Sequence, residues 1–168
     1  MKLLDRRAVI SGTLVATGAI TVGGLSGPFN DAKARADGTF KINRTPEQWK
    51  QRLGAARYRI LRRAGTERAY SSPLNNEKRK GVFACAGCNL GLYKSDKKYD
   101  SGTGWPSFWA PIAKDRIGTT TDYKIGYPRT EVHCARCGGH LGHIFNDGPK
   151  PTGKRHCING LALKFIPA

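Results

Sequence analysis

The sequence predicts a mainly β domain that begins with one short helical segment. Three observations support this fold class: a capped amphipathic segment near the start of the domain, a series of short apolar runs separated by turn residues, and two Cys-x-x-C pairs far apart in the chain. Short apolar runs bounded by turns are typical of strands. Two distant cysteine pairs that share one metal ion would hold separate parts of such a domain together.

Composition bounds the size and charge of that domain. The chain has 168 residues and a formal net charge of +17, with 29 basic against 12 acidic side chains. Only five of the basic and two of the acidic residues fall within residues 1–36, so the rest of the chain is strongly basic as well. A basic surplus favours anionic partners such as nucleic acid, but these charges are scattered, which is typical of a solvated surface. We expect one domain over residues 45–168.

Residues 1–36 predict a signal peptide of the twin-arginine type. The paired arginines, Arg6 and Arg7, precede a weakly apolar stretch that glycine and hydroxyl residues dilute, and small-residue cleavage sites end at Ala34 and Ala36. An uncleaved membrane anchor is the alternative, since about 18 such residues are just enough to span a bilayer. We expect the protein to be periplasmic or otherwise exported.

Residues 37–44 form a polar lead-in, and a helix is expected to begin directly after it. Thr45, Pro46 and Gln48 supply a capping box with proline at the first helical position. Gly65 marks the expected end of the helix. An apolar stripe at helical spacing is expected to pack on the core of the domain. Its members are Trp49, Leu53, Ala56 and Ile60.

After this helix the sequence predicts strands separated by loops. The expected strands cover residues 81–85, 123–125, 131–134 and 161–166, where aromatic and β-branched residues are bounded by turn residues. Residues 71–80 and 147–153 are expected to be loops.

The two Cys-x-x-C pairs predict one structural zinc ion, because four thiolates complete a tetrahedral site without an open position. The ligands are Cys85, Cys88, Cys134 and Cys137. The two pairs are separated by 45 residues, well beyond the roughly 15–20 of a compact four-cysteine site, so the ion is expected to join distant parts of the domain. Two disulfides are the alternative, although bonding within Cys-x-x-C is typical of redox centres.

Cys157 lies outside both pairs and is a candidate nucleophile. Arg155 could lower its pKa, and strand alternation would place Arg155, Cys157 and Asn159 on one face. A buried structural thiol is the alternative, since free cysteine is often buried. His140 and His143 could transfer protons or form local hydrogen bonds, and neither is needed as a metal ligand.

A glycine-flanked aromatic run over residues 102–109 contains Trp105 and Phe108. Clustered aromatic residues usually belong to a core, but a loop tryptophan can also form the wall of a pocket for a small apolar group. The sequence leaves both interpretations open.

Several motifs resemble those of peptide-methionine (R)-S-oxide reductases, the B-type methionine sulfoxide reductases. They are Ser-Gly-Thr-Gly-Trp-Pro-Ser-Phe at 101–108, His-Leu-Gly-His-Ile-Phe at 140–145, Asp-Gly-Pro at 147–149, Arg-His-Cys-Ile-Asn at 155–159 and both Cys-x-x-C pairs. The resemblance covers roughly residues 45–167. It implies a zinc-containing antiparallel β-sheet architecture, in agreement with the strands expected from the residues themselves.

The resemblance also implies a reaction and its residues. The thiolate of Cys157 attacks the sulfur of methionine-R-sulfoxide, giving methionine and a cysteine sulfenic acid. By matching positions, Cys157, His140, His143 and Asn159 are catalytic, and Trp105, Phe108, Arg155 and Asp147 bind the substrate or support the site. The zinc ion is structural. Expected partners are oxidised proteins or free methionine sulfoxide and a thioredoxin-like or small-thiol reductant, and a monomer is expected.

Three positions depart from the motifs of many similar chains. Thr103 stands where those members carry a cysteine that resolves the oxidised nucleophile, so an intramolecular disulfide would require a zinc ligand. His156 stands where tyrosine is commoner, and Gly160 where serine is commoner. These two changes leave the expected nucleophile in place and bear on substrate preference.

A function from another class is a zinc-dependent nucleic-acid-binding module, motivated by the net charge and the two cysteine pairs. The expected export, the long separation of the pairs and the lack of a recognisable base-stacking motif oppose it. We therefore expect no nucleic acid among the partners.

Overall fold

Residues 40–168 are described by a computed structural model, and they form one α-helix and nine β-strands in two antiparallel sheets. The helix α1 spans Pro46–Arg63, and the strands are β1 (Gly81–Cys85), β2 (Gly91–Lys94), β3 (Lys98–Tyr99), β4 (Ser107–Phe108), β5 (Ile117–Asp122), β6 (Arg129–Cys134), β7 (His140–Phe145), β8 (Arg155–Ile158) and β9 (Leu163–Pro167). This confirms the predicted fold class. The expected signal peptide and the first residues of the lead-in lie outside the described residues.

The helix begins as the sequence predicts. The Gln48 backbone N–H donates to the Thr45 hydroxyl over 3.3 Å, and the Gln48 side chain accepts from the Thr45 N–H over 3.1 Å, so the capping box is complete. The helix ends at Arg63, and Ala64 rather than Gly65 adopts the left-handed conformation. No helix within residues 40–168 is long and apolar enough to cross a membrane.

The expected apolar stripe of the helix is only partly correct. Gly54 has a φ of +68°, which interrupts the helix with a kink and resets its phase. Trp49 and Leu53, before the kink, are buried, but Ala56 is exposed. After the kink the buried positions are Ile60 and Leu61.

The two sheets share a core of aromatic side chains. The smaller sheet has the strand order β2-β1-β9, and the larger has the order β3-β4-β8-β7-β6-β5. Phe108 of the larger sheet stacks on Tyr93 of the smaller at 4.4 Å between ring centroids, and Phe83 meets Phe108 edge-on at 5.0 Å. All three side chains are fully buried, so they join the sheets through apolar contact.

Strand β8 lies inside the larger sheet between β4 and β7. The register places Cys157 opposite Ser107 on one side and His143 on the other. Because side chains alternate along a strand, Arg155 and Cys157 face one side of the sheet and His156 faces the other. One face of the sheet therefore carries the candidate nucleophile together with residues of β7 and β6.

Two predicted strands need correction. Residues 123–125 are not a strand but a turn that connects β5 to β6, because the chain reverses there with Gly126 at a φ of +88°. The strand expected over residues 161–166 begins at Leu163, since Gly160–Ala162 form a 3-10 turn. Strand 81–85 is confirmed, strand 131–134 lies within β6, and loop 71–80 contains a 3-10 turn at Pro73–Asn76.

Candidate active site and metal centre

The two Cys-x-x-C segments fold into equivalent turns at the ends of β1 and β6. In the first, the Asn89 N–H donates to the Cys85 carbonyl over 2.8 Å, and the Cys85 N–H donates to the Leu90 carbonyl over 2.8 Å. In the second, the N–H of Gly138 donates to the Cys134 carbonyl over 2.8 Å, and the Cys134 N–H donates to the carbonyl of the residue after Gly138 over 2.9 Å. Because the two turns share the same backbone hydrogen bonds, the two sulfurs of each pair have the same orientation relative to their turn.

The four sulfurs of these turns form one buried group. All four ligand atoms lie within 4.8 Å of one another, with 3.7 Å between the sulfurs of Cys85 and Cys137 and 3.5 Å between those of Cys88 and Cys134. Around a tetrahedral ion with Zn–S distances of about 2.3 Å, the sulfurs are about 3.8 Å apart. The four cysteines therefore fit a metal ion, and none of them is in a disulfide.

Positive side chains surround this cysteine group. Arg62 donates to the Cys137 carbonyl over 2.8 Å, and Arg52 donates to the Gly87 carbonyl over 2.9 Å. Both arginines belong to α1, so the helix packs against the cysteine turns that join the two sheets. Such an arrangement supplies positive charge next to a group of thiolates.

Cys157 lies at a small cavity that none of the other four cysteines lines. The cavity has a volume of about 120 Å³. Its lining residues are Thr66, Trp105, Arg129, Gly142, His143, Phe145, Cys157 and Asn159. Cys157 is partly exposed there, which distinguishes it from the four buried cysteines. The structure thus separates one accessible thiol from the group of four buried cysteines.

The surroundings of Cys157 act on its pKa in opposite directions. Burial is the largest cause and raises the pKa of the thiol, while the charge of Arg155 and a hydrogen bond from the Thr103 side chain lower it. Arg155 is fixed by two hydrogen bonds to Asp147, of 2.9 and 2.8 Å, and its guanidinium lies 4.5 Å from the ring centroid of Phe145. The net pKa of Cys157 is above its ordinary value.

His143 lies beside Cys157 in the register and is held by a carboxylate. Its Nε2 is 2.7 Å from Oδ2 of Asp122, which also accepts from Arg129 over 2.7 Å. Burial is the largest cause that lowers the pKa of His143, so the ring is neutral near pH 7. Burial opposes ionisation of Asp122, but hydrogen bonds from the Lys124 backbone and His143 and the charge of Arg129 lower its pKa to about 2. An ionised carboxylate accepts only, so Nε2 of His143 donates and Nδ1 is left as an acceptor.

His140 is buried behind His143, and the two ring centroids are 5.5 Å apart. Its Nδ1 is 2.6 Å from Oε1 of the buried Glu131, whose other oxygen accepts from Thr120 over 2.7 Å. Nε2 of His140 is buried and has no hydrogen-bond partner within the described residues. His140 does not line the cavity beside Cys157, and a buried polar atom of this kind is suited to a water molecule.

Asn159 and Trp105 are tied together by Glu67. Asn159 accepts from the Glu67 N–H over 3.0 Å and donates to the Leu141 carbonyl over 3.0 Å. The Trp105 indole N–H donates to the Glu67 carbonyl over 3.2 Å, and the buried Glu67 carboxylate accepts from the backbone N–H groups of the turn after Asn159. Since both ends of the Asn159 amide bind the protein, Asn159 fixes the cavity wall that carries Trp105.

The structure does not bring every expected residue to the cavity. Phe108 lies in the core between the sheets with no exposed surface, and Asp147 reaches the site only through Arg155. His156 faces away from Cys157, and its Nδ1 is 3.2 Å from the Tyr93 hydroxyl. Burial, with a smaller effect from the Lys154 charge, lowers the pKa of His156 to about 4. His156 borders a larger cavity, of about 530 Å³, which Cys157 does not line.

Sequence reasoning missed the residues that position the candidate site. Asp122, Glu131 and Glu67 hold His143, His140 and Asn159 respectively, as described above. The alternation of polar residues along β5 and β6 could have indicated Asp122 and Glu131 from the sequence. Glu67 lies in a loop without any local pattern, and it acts on Asn159 across 92 positions of the chain.

Comparison with known proteins identifies the family of this chain. Residues 53–167 match the SelR domain family. Similar curated proteins are the peptide methionine sulfoxide reductases MsrB of Leptospira interrogans (48% identical over 126 residues, 75% of this chain and 96% of the relative), Pseudomonas putida (49% over 127 residues, 76% and 96%) and Methanosarcina barkeri (49% over 124 residues, 74% and 87%).

These matches identify the class of protein as an oxidoreductase. The chain belongs to the MsrB family of peptide methionine sulfoxide reductases, which carries the SelR domain. The resemblance stated from the sequence motifs is therefore confirmed at the level of the family.

Proposed function

We propose that the protein reduces methionine-R-sulfoxide, in peptides and as the free amino acid, to methionine, with Cys157 as the nucleophile. The observation that carries this proposal is the partly exposed Cys157 thiol beside His143, in a small cavity that Trp105 also lines. The other four cysteines are buried in a group of their own. The names of the relatives support methionine sulfoxide as the substrate.

The reaction transfers oxygen from the substrate sulfur to Cys157. The thiol proton passes to Nδ1 of His143, which is free to accept because Nε2 binds Asp122. The thiolate attacks the sulfoxide sulfur and forms an S–S bond, while His143 returns the proton to the sulfoxide oxygen. The hydroxyl group then moves from the methionine sulfur to the Cys157 sulfur as the S–S bond breaks, and the electron pair of that bond stays on the methionine sulfur. Methionine and Cys157 sulfenic acid are the products, so the sulfoxide is reduced by two electrons and the thiol is oxidised by two. Trp105 and the Phe145 ring offer apolar surface to the substrate methyl group.

We further propose that the four buried cysteines hold one structural Zn²⁺. The sulfur separations suit a tetrahedral ion, and four thiolate ligands leave no position open for substrate. A zinc ion with four thiolates has a net charge of −2, which Arg52 and Arg62 partly offset from α1. The ion would hold β1 of one sheet to β6 of the other, away from the reaction.

Stereochemistry provides the test of this function. With dithiothreitol as the reductant, the protein should convert the R epimer of N-acetylmethionine sulfoxide to the sulfide and leave the S epimer unchanged, since a cavity with one wall bearing the nucleophile presents it to one face of the sulfur. Chromatography of the separated epimers measures both rates. Equal rates would contradict the proposed specificity. No reduction of either epimer, together with salt-sensitive binding of DNA or RNA, would favour the nucleic-acid-binding alternative.

Oxidised Cys157 should persist until an external thiol attacks it. Thr103 has no redox chemistry, and the remaining cysteines are assigned to the metal. After one equivalent of substrate without reductant, mass spectrometry should show a sulfenic acid that dimedone labels, and a single mixed disulfide when a monothiol is added. A quantitative intramolecular disulfide with release of zinc would show instead that a metal ligand resolves the intermediate.

The pH dependence of the first step should follow the Cys157 thiol. The single-turnover rate of sulfoxide reduction should rise with pH, because the thiolate is the nucleophile. The inflection should lie at a higher pH than for an ordinary thiol, because burial raises the pKa of Cys157. Arg155→Met removes a charge that lowers this pKa, so the inflection should move to higher pH, and Arg155→Lys should restore it in part. Lys154→Met is the matched control, since Lys154 lies on the opposite face. An unchanged profile in Arg155→Met would refute the assigned role of Arg155.

Repair of oxidised exported proteins is a further proposal, and it depends on the twin-arginine signal expected in residues 1–36. That signal is supported by the sequence alone. Fractionation of cells that express the full chain tests it, with recovery of the protein outside the cytoplasm as the expected result.

A further inference from the structure

The turn between β5 and β6 exposes an unusual amount of apolar surface. We call residues 123–128 the hairpin tip. Tyr123 is 68% exposed, Ile125 49% and Tyr127 58%. Within residues 40–168 the other large exposed hydrophobic side chains are Tyr70 and Ile166, so three of five lie in one turn. Clustered exposed apolar residues of this kind mark an interaction surface.

The hairpin tip is continuous with the rim of the Cys157 cavity. Asp122 and Arg129 pair with each other at its base, and Arg129 lines the cavity. The Lys124 ammonium group donates to the Ala64 carbonyl over 3.2 Å, which fixes the tip against the end of α1, two residues from Thr66 on the cavity wall. The tip therefore stands beside the cavity mouth.

The tip also lies close to the reactive residues of the sheet. Cys157, His143 and Glu131 lie side by side on neighbouring strands. Two residues further along each strand, on the same face, a second row consists of Arg155, Phe145, Arg129 and Asp122. The tip connects β5 to β6 directly after this second row. A polypeptide whose side chain reaches Cys157 would thus have its neighbouring residues within reach of the tip.

We propose that the hairpin tip binds the apolar residues that flank methionine sulfoxide in an unfolded polypeptide substrate. This inference rests on the proposed reduction of peptide-bound methionine sulfoxide. Once the sulfoxide side chain fills a cavity of about 120 Å³, the rest of the polypeptide must remain outside. Methionine is mostly a core residue, so its neighbours in sequence are often apolar and become accessible when the protein unfolds. The two tyrosines and Ile125 offer a matching surface.

The charge at the tip favours apolar flanking residues in the substrate over basic ones. Lys124 is the charged residue within the tip, whereas Arg129, at the start of β6, is paired with Asp122, which also binds His143. Apolar or acidic flanking residues are therefore suited to the tip, and basic ones are not.

The test compares two substrates in the full-length protein with dithiothreitol as the reductant. One is N-acetylmethionine-R-sulfoxide, and the other is a peptide with leucines on both sides of one methionine-R-sulfoxide. The triple variant Tyr123→Ser, Ile125→Ser, Tyr127→Ser should raise KM for the peptide by about tenfold, because apolar contact is lost, and leave kcat/KM for the small substrate unchanged. Circular dichroism checks that the variant is folded.

Ile125→Ser and Ile166→Ser form a matched pair, since the two isoleucines are 49% and 48% exposed and Ile166 belongs to the smaller sheet. Only Ile125→Ser should raise KM for the peptide. An unchanged peptide KM in the triple variant, or an equal loss for both substrates, would overturn the inference. So would a wild-type dimer that the triple variant converts to a monomer by light scattering, which would make the tip a self-association surface. Failure of the wild type to reduce either substrate would instead refute the proposed function.

Discussion

Cys157→Ser is expected to abolish turnover of methionine-R-sulfoxide, lowering kcat/KM by more than about 1000-fold. A serine hydroxyl has a far higher pKa than a thiol and cannot form the sulfenic acid that carries the oxygen away. The cavity wall should remain intact, because the backbone of β8 pairs with β4 and β7 independently of this side chain. Initial rates with dithiothreitol measure the effect.

Two measurements on this variant, its zinc content and its thermal unfolding, serve as controls. Cys157 is partly exposed and separate from the four cysteines of the metal centre, so Cys157→Ser should match the wild type in zinc content and in thermal unfolding. Thr103→Ala is a second comparison, since it keeps the thiol and removes a hydrogen bond that lowers its pKa, together with the hydrogen bond between Thr103 and Ser101. Retained turnover in Cys157→Ser would refute the assigned nucleophile.

The sequence was informative wherever function depends on local spacing. Two thiols in Cys-x-x-C can reach one ion from a single turn, so the metal ligands could be predicted before any fold was known. The capping box of α1 was equally local, and it formed as expected. The kink at Gly54 was not predicted, because a glycine within a helical pattern is compatible with a straight helix, and only the packing selects its positive φ.

Long-range contacts account for most of the differences between the sequence predictions and the structure. The apolar residues of 123–125 match a strand pattern, but a strand needs a partner, and the chain turns there at the end of the sheet. The run containing Trp105 and Phe108 was ambiguous for the same reason, and the structure divides it between the cavity and the core. The positioning role of Glu67 depends on the return of the distant Asn159 and could not be read from either segment alone.

Cys85→Ser and Cys134→Ser should each release the metal and destabilise the fold by at least about 3 kcal/mol, since a structural zinc site contributes about 10–16 kcal/mol of binding free energy that is also folding free energy. The two residues occupy equivalent positions in equivalent turns, so the two losses should be similar. Metal analysis of the purified variants and urea unfolding measure both quantities.

The expected loss of stability arises because the cysteine group connects the two sheets. Cys85 ends β1 of the smaller sheet and Cys134 ends β6 of the larger, and the sulfurs of both turns meet in one buried group. Without the ion, the buried thiolates would repel one another or take up protons, and the contact between the turns would loosen. Cys157→Ser serves as the cysteine control, with unchanged metal and unchanged unfolding. A fully stable and active Cys134→Ser protein without metal would show that aromatic packing between the sheets suffices and that the cysteine group has no structural role.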